Sequence, residues 1–304
     1  VDLTTFFQQL VNGLQLGSIY ALIALGYTMV YGIIKLINFA HGDFLMVGAY
    51  AVYFFATFIL AFTNAIPPII LFILCLIVSL AAGALIAELS NCLTYKPLRY
   101  RPRLSALITA VGVSMFLEYF FASLPFIGPS FRAFPDIIKQ VSFVVGGVYL
   151  NNIQLLDIGL AIVLMILLTF IVNRTMTGKA MRAVSQDKDA ARLMGINIER
   201  TITFTFLIGG ALAGAAGILM AMTYPRIFPY MGILPGLKAF VAAVLGGIGN
   251  IPGAMLGGFL LGIAEIYATS YNSLLGEGIA FAILILVLLF RPQGLLGEKQ
   301  SEKV

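Results

Sequence analysis

Apolar residues in this chain come in long blocks instead of being scattered through it. Residues 67–88 carry a single charge, Glu88 at the far end, and residues 158–172 and 279–290 carry none. A segment that crosses a bilayer needs roughly 20 apolar residues, since about 1.5 Å of rise each must cover about 30 Å of hydrocarbon. Blocks at 10–34, 43–63, 67–89, 104–127, 153–172 and 203–224 meet that requirement and read as spans. The last third is less regular: 237–248 is short and ends on glycine, 252–271 is long enough, and 274–290 closes the pattern. The expectation is an all-α polytopic membrane protein, a single transmembrane domain over residues 1–304. About 8–10 transmembrane elements are expected, broken or re-entrant helices among them.

Composition strengthens that reading. Hydrophobic residues make up 61% of the 304 and charged residues 10%, with a mean hydropathy of +1.02. A soluble domain carries about a quarter charged residues. Two cysteines and one histidine exclude a metal cluster of the usual kind. Cys75 and Cys92 stand 17 residues apart, roughly 25 Å on one helix and beyond disulfide reach. Trp is absent, so an aromatic belt would draw on the 13 tyrosines, with Tyr53, Tyr95 and Tyr100 near block ends. No charged stretch with a small-residue cleavage site precedes the first block, so no cleavable signal peptide is expected.

Charge distribution sets the expected orientation. Of 18 Lys and Arg, 13 fall in three segments: Lys96, Arg99, Arg101 and Arg103; Arg174, Lys179, Arg182, Lys188, Arg192 and Arg200; and Arg291, Lys299 and Lys303. These segments, the C-terminus included, are expected in the cytoplasm, with the side of the N-terminus open. The net charge of +5 suits anionic headgroups of a lipid bilayer and calls for no nucleic acid.

Two stretches interrupt the apolar helices, one in each half of the chain. The first runs from Tyr31 through Asn38, His41 and Gly42 to Asp43; the second from Leu245 through Gly246, Gly247, Gly249 and Asn250 to Ala254. Paired Gly- or Pro-interrupted segments point to a transport site, because unwound backbone offers N–H and C=O groups beside a pathway. Asn38, His41, Gly42, Gly246, Gly247, Gly249 and Asn250 are therefore the candidate pathway residues. A two-half repeat, about 1–150 and 151–304, would accompany them. Residues 35–42 form either a true loop or a break within a re-entrant element. Most glycines, at four-residue spacings such as Gly13/Gly17, Gly210/Gly214, Gly249/Gly253/Gly257 and Gly258/Gly262, are expected to serve close helix packing.

Polar residues at membrane depth need individual accounts. Asp43 either caps the helix after it or belongs to the site. The Asn38 amide either meets a zwitterionic substrate or satisfies broken backbone. Glu118 and Glu265 are expected to be paired or near water, and Glu88 to be solvated.

Residues 173–201 read as a docking knob. A short amphipathic helix from Thr177 to Ser185 puts Met181 and Val184 on one face. Asp187 caps a second helix near Lys188–Met194, and Gly195 ends it. Gly178, Met181, Arg182, Val184, Asp187, Leu193 and Gly195 are the candidate docking residues. Gly178-Lys179 does not make a phosphate loop, because Asn173 stands at the earlier glycine position and Ala180 follows the lysine. Any ATP dependence must come from a separate subunit.

The stretch from Gly17 to Ile34, Ile37–Asp43 (INFAHGD) and Ala243–Ala254 (AVLGGIGNIPGA) resembles the membrane subunits of branched-chain amino-acid ABC importers, the LivH-type permease in particular. So do Tyr95-Lys-Pro-Leu-Arg99, Met194-Gly-Ile-Asn197, Gly236-Leu-Lys-Ala-Phe240 and Arg291-Pro-Gln-Gly-Leu-Leu296, in order along nearly the whole chain. The resemblance implies the helical fold of the larger, type II-like ABC importers in a bacterial inner membrane. It implies a heterodimer with a second related permease, two cytoplasmic ATPase subunits and a periplasmic binding protein that delivers leucine, isoleucine or valine. It also implies that the loop at 178–197 contacts an ATPase. No cofactor is expected in this chain, since ATP would be bound by the partners. Urea and short-chain amide permeases share much of the pattern. An ion-coupled transporter would need Glu118 or Glu265 as its carboxylate. An intramembrane enzyme would need paired acids or a Ser/His arrangement, which the sequence does not place together.

Overall fold

The computed structural model describes residues 2–35, 37–63, 66–98 and 101–297, with Arg103 described by its backbone alone. Arg99, Tyr100, Lys299 and Lys303, which entered the charge and aromatic-belt expectations, lie outside the described residues. The helices are α1 (Leu3–Ile34), α2 (His41–Phe62), α3 (Pro68–Ser90), α4 (Lys96–Leu98), α5 (Arg103–Ser123), α6 (Asn152–Arg174), α7 (Met176–Gln186), α8 (Lys188–Leu193), α9 (Ile198–Thr223), α10 (Ile233–Gly246), α11 (Ile251–Tyr271) and α12 (Ser273–Phe290). A π turn at Asn91–Tyr95 carries α3 into α4. Among the described residues, eight helices are long and apolar enough to cross a membrane, and α10 is a shorter apolar helix of 14 residues.

Burial separates a centre from a rim. In α1, 83% of the most apolar window is buried, and in α9 72%, against 22%, 17% and 11% in α5, α6 and α12. A helix apolar all round and exposed on its outer face suits lipid.

Glycine permits the central contacts. A Cβ on Gly13 would lie 2.7 Å from Ile263 Cα, and one on Gly17 would lie 2.8 Å from Phe259 Cα, so α1 and α11 pack antiparallel, backbone on backbone. Gly83, Gly210 and Gly214 do the same for α3 on α9, where Ser79 Oγ donates to the Gly214 carbonyl at 2.6 Å. This is small-residue packing as the spacings suggested. Gly249 departs from it: its φ is +101° and no atom lies within 4 Å of its Cβ position.

The two ends of the bundle differ. At the hairpin end, β2 (Ser142–Val145) pairs with β3 (Val148–Asn151). The Gly146-Gly147 turn between them has φ of +60° and +85°, which a two-residue hairpin turn requires. The Gln8 amide bonds both ways with the Tyr149 backbone, at 2.8 and 3.0 Å, fastening the start of α1 to this hairpin. That contact explains why α1 starts at Leu3, ahead of its apolar block. Also here, β1 (Arg132–Ala133) pairs with β4 (Arg226–Ile227), linking the α5–α6 and α9–α10 connections. At the opposite end lie α4, the elbow formed by α7 and α8, and the segment after α12, so the described parts of all three basic segments share this elbow end. Lys96 and Glu199 form an exposed ion pair there at 3.4 Å.

Candidate functional site

The first interruption is a true break. α1 ends at Ile34, and Lys35 adopts a left-handed φ of 60° while its N–H returns to the Tyr31 carbonyl at 2.8 Å. The chain then turns back into the bundle, and α2 begins at His41 beside Gly26, about 12 Å before the end of α1. The loop-or-break alternative for 35–42 is thus resolved as a re-entrant break. Asn38 stabilises it: Oδ1 accepts from Ala40 N at 3.1 Å and from Tyr95 Oη at 2.6 Å. Of the two roles open to Asn38, backbone satisfaction is the one built into this geometry. Tyr95 is buried in that contact, which corrects its assignment to an aromatic belt.

His41, Gly42 and Asp43 form the first turn of α2, all buried. The His41 ring packs 4.7 Å from Tyr27 and 5.7 Å from Phe44, centroid to centroid. Asp43 does not cap α2, since the helix begins two residues earlier and neither carboxylate oxygen has a hydrogen-bond partner among the described residues. It faces Ser114 and Glu118 of α5. Thr28 Oγ1, Asn38 Nδ2, both His41 nitrogens and Tyr50 Oη are also buried without partners among the described residues. Buried polar groups are nearly always satisfied, so the unpartnered atoms of Thr28, Asn38, His41 and Asp43 around one break call for an explanation.

The partner of this break is not the second sequence candidate. A Cβ on Gly42 would strike the Gly232 carbonyl, and one on Gly236 would lie 2.9 Å from Gly42 Cα. The first turns of α2 and α10 therefore meet inside the bundle. Gly246, Gly247, Gly249 and Asn250 sit about 15 Å further along, at the elbow end of α10. There Asn250 Oδ1 caps α11 by accepting from Gly253 N at 2.9 Å, and its Nδ2 donates to the Leu296 carbonyl at 2.9 Å. Leu295 N and Leu296 N donate to the carbonyls of Leu245 and Gly246, at 2.8 and 3.0 Å. The glycine-rich signal marked a turn closed by the tail, with Gly247 at φ +105° against Gly294 and Gly297. The break inside the bundle carries fewer glycines, Gly232 and Gly236, and was missed for that reason.

Two buried polar clusters also escaped the sequence reading. Lys238 Nζ lies 2.7 Å from Glu265 Oε1, and Tyr20 Oη donates to Glu265 Oε2 at 3.0 Å, so α10, α11 and α1 meet in one ion pair. Its signal was available as one Lys and one Glu, each alone in an apolar stretch. The pairing expected for Glu265 is present. Near the hairpin end, Asp157 Oδ2 accepts from Gln15 Nε2 and Thr223 Oγ1, both at 2.8 Å, joining α6, α1 and α9. Among the described residues no group of three or more His, Cys, Asp or Glu could hold a metal ion.

The elbow has the Asp187 cap and the Gly195 stop that were expected, and one cap that was not. Thr175 accepts from Gly178 N at 3.1 Å. Asp187 Oδ1 accepts from Asp189 N and Ala190 N, and Gly195 follows with φ +81°. Its apolar face points elsewhere than foreseen. Met181 and Val184 are 2% and 1% exposed, turned onto this chain's own helices, so they cannot be an outward docking face. A Cβ on Gly178 would strike the carbonyls of Ile171 and Val172, and Arg182 donates to Val172 O, so both fix the elbow to α6. The exposed apolar residues are Met176, Leu193 and Met194, at 79%, 88% and 82%. Beside them a shallow groove of about 360 Å³ runs between Thr177, Ala180, Ile196, Arg200 and Phe204.

The chain is 45% identical over 309 residues to the high-affinity branched-chain amino acid transport system permease protein BraD of Pseudomonas aeruginosa, covering 98% of each. It is 41% identical over 308 residues to LivH of Escherichia coli, again covering 98% of each. A probable branched-chain amino acid transport permease, LivH of Methanocaldococcus jannaschii, is 28% identical over 92% of this chain and 89% of that one. The family described as "Branched-chain amino acid transport system / permease component" matches residues 9–288. With its membrane helices, paired breaks and elbow, this chain belongs to that family of branched-chain amino acid transport permeases.

Proposed function

We propose that this chain is the membrane-spanning permease of an ATP-binding-cassette importer that carries leucine, isoleucine and valine from periplasm to cytoplasm. The observation that carries the reading is full-length likeness to BraD and LivH, together with two helix breaks that meet inside the bundle. Unwound backbone at that depth is tolerated only beside protein or a water-filled cavity. The pathway in this reading passes Asn38, His41, Gly42 and Asp43 on one side and Gly232 and Gly236 on the other. The residues from Gly246 to Asn250 close its elbow end.

The elbow end, with its Lys and Arg, faces the cytoplasm of the bacterial inner membrane and holds the C-terminus. The start of α1 and the 142–151 hairpin face the periplasm. In this orientation α1, α2, α3 and α5 run in directions opposite to α9, α10, α11 and α12, as in an inverted repeat. The second unit then starts near Ile198, later than residue 151, and leaves α6 between the two. A second permease related to this one completes the pathway, and a periplasmic binding protein delivers the substrate. Two ATPase subunits seat on the elbow through Leu193, Met194 and the adjacent groove, and ATP is bound there, outside this chain.

Reconstitution in proteoliposomes tests the division of labour. The chain alone is expected neither to transport leucine nor to hydrolyse ATP, and addition of the second permease, ATPases and binding protein restores ATP-dependent uptake. Uptake by the chain alone, driven by an ion gradient, would refute the assignment.

A further inference from the structure

At the break Gly232–Gly236 the close contacts are backbone on backbone, and further along α10 the Phe240 ring packs 6.1 Å from Tyr27 and 6.4 Å from Phe39, centroid to centroid. Half-helix α10 meets α11 through Gly246 on Gly253 and Ala242 on Gly257, and meets α2 through Gly232 and Gly236 on Gly42. Faces of this kind let backbones approach closely but offer few knobs to resist sliding along the axis. The connection ahead of α10 is held by two paired residues of β4, and the one behind it by Gly247 at φ +105°. Apolar contacts of this kind fix depth loosely, and beside them stands a directional polar contact. Both oxygens of Glu265 are engaged, one by Lys238 Nζ at 2.7 Å and one by Tyr20 Oη at 3.0 Å. All three side chains are buried.

We propose, taking the permease reading as given, that the Lys238–Glu265 ion pair with Tyr20 is a registry pin that sets the depth of α10 against α1 and α11. Lys238 and Glu265 are thus positioning residues for transport. Lys238 lies two residues beyond Gly236, on the same turn of α10. A slide of α10 by one turn, about 5.4 Å, pulls Nζ away from Glu265 and carries Gly232 and Gly236 off Gly42. Stability alone does not require the pair, because well-packed apolar residues commonly replace a buried ion pair without loss, whereas fixing register is its best-attested use.

The test compares labelled-leucine uptake and membrane level for the wild type, Lys238→Met/Glu265→Gln and Tyr20→Phe, in cells lacking the native gene. The neutral double variant leaves no unpaired charge. It is expected at the wild-type membrane level, with maximal uptake rate lower by about tenfold and half-saturating leucine unchanged. Tyr20→Phe removes one hydroxyl contact and is expected to lower the rate about threefold. A direct readout of α10 needs no transport. Phe39→Cys and Phe240→Cys, whose rings lie 6.4 Å apart, are joined by a short bismaleimide in a Cys92→Ser background. Cross-linking is expected to slow when Lys238→Met/Glu265→Gln is added. Wild-type uptake and cross-linking in the double variant would overturn the pin. If that variant is absent from the membrane, Tyr20→Phe decides: unchanged uptake and cross-linking overturn it, and a fall in both sustains it. Loss of leucine uptake by the wild type would instead sink the permease reading, leaving the cross-linking result to stand.

Discussion

Glu265 on α11 and Asp43 on α2 are carboxyl side chains buried to similar degrees, 8% and 1% exposed, and they live in opposite circumstances. Glu265 has a lysine on one oxygen and a tyrosine on the other. Asp43 has no hydrogen-bond partner among the described residues and faces another acid, Glu118. An unpaired polar group away from water is costly, so a fold that needed only stability would not keep Asp43. The fully engaged carboxylate belongs to the part of the bundle that must hold still. The unengaged one lies beside the break, along the proposed pathway.

That contrast can be broken most severely from the paired side. Lys238→Met strands a buried carboxylate, and about 3–5 kcal/mol of stability should be lost. Membrane level and thermal unfolding in detergent would report it, and wild-type behaviour would mean that the pair holds nothing. Gly42→Leu comes next, since its side chain must displace the Gly232 backbone. Overpacking of this kind costs about 1–3 kcal/mol, read by the same unfolding measurement, with uptake abolished. Asp43→Asn sharpens the comparison from the other side. It keeps the shape of the side chain and its place beside Ser114 and Glu118, so stability should move by about 0.5 kcal/mol or less while leucine uptake falls. Equal uptake by Asp43→Asn and wild type would remove Asp43 from the pathway. The smallest structural effect belongs to Leu193→Asp with Met194→Asp, both fully outside the packed core. Stability should again shift by about 0.5 kcal/mol or less, yet uptake and ATPase co-purification should be lost. Met181→Asp with Val184→Asp should do the reverse of that pair and unfold the elbow itself, because those side chains are packed inside.

Much of this molecule is legible in its sequence, and the reasons are particular. Block length gives the spans because bilayer thickness dictates it. The cap at Asp187 and the stop at Gly195 are local, made by residues within three positions of what they satisfy, whereas the cap at Asn250 was read as a pathway residue. Glycine spacing gives the packing faces at Gly13/Gly17 and Gly258/Gly262, since no larger residue fits. The partner of the first break is not legible, because Gly42 meets Gly232 across 190 residues and nothing local in either segment names the other. Glycine density misled there, drawing notice to 246–253, where the chain turns at the bundle's end. The apolar stripe at Met181 and Val184 showed that the elbow packs on something, and periodicity is silent on whether that something is this chain or another. The Lys238–Glu265 pair was within reach, as two lone opposite charges in apolar stretches, but each could equally have met lipid headgroups or a partner.

The most direct test is uptake of labelled leucine at low concentration by cells lacking this gene, with and without a plasmid copy, beside labelled urea. Loss of leucine uptake that the plasmid restores, with urea unaffected, is the predicted result. Unchanged leucine uptake with urea uptake lost would contradict the substrate, and no change in either would contradict the account as a whole.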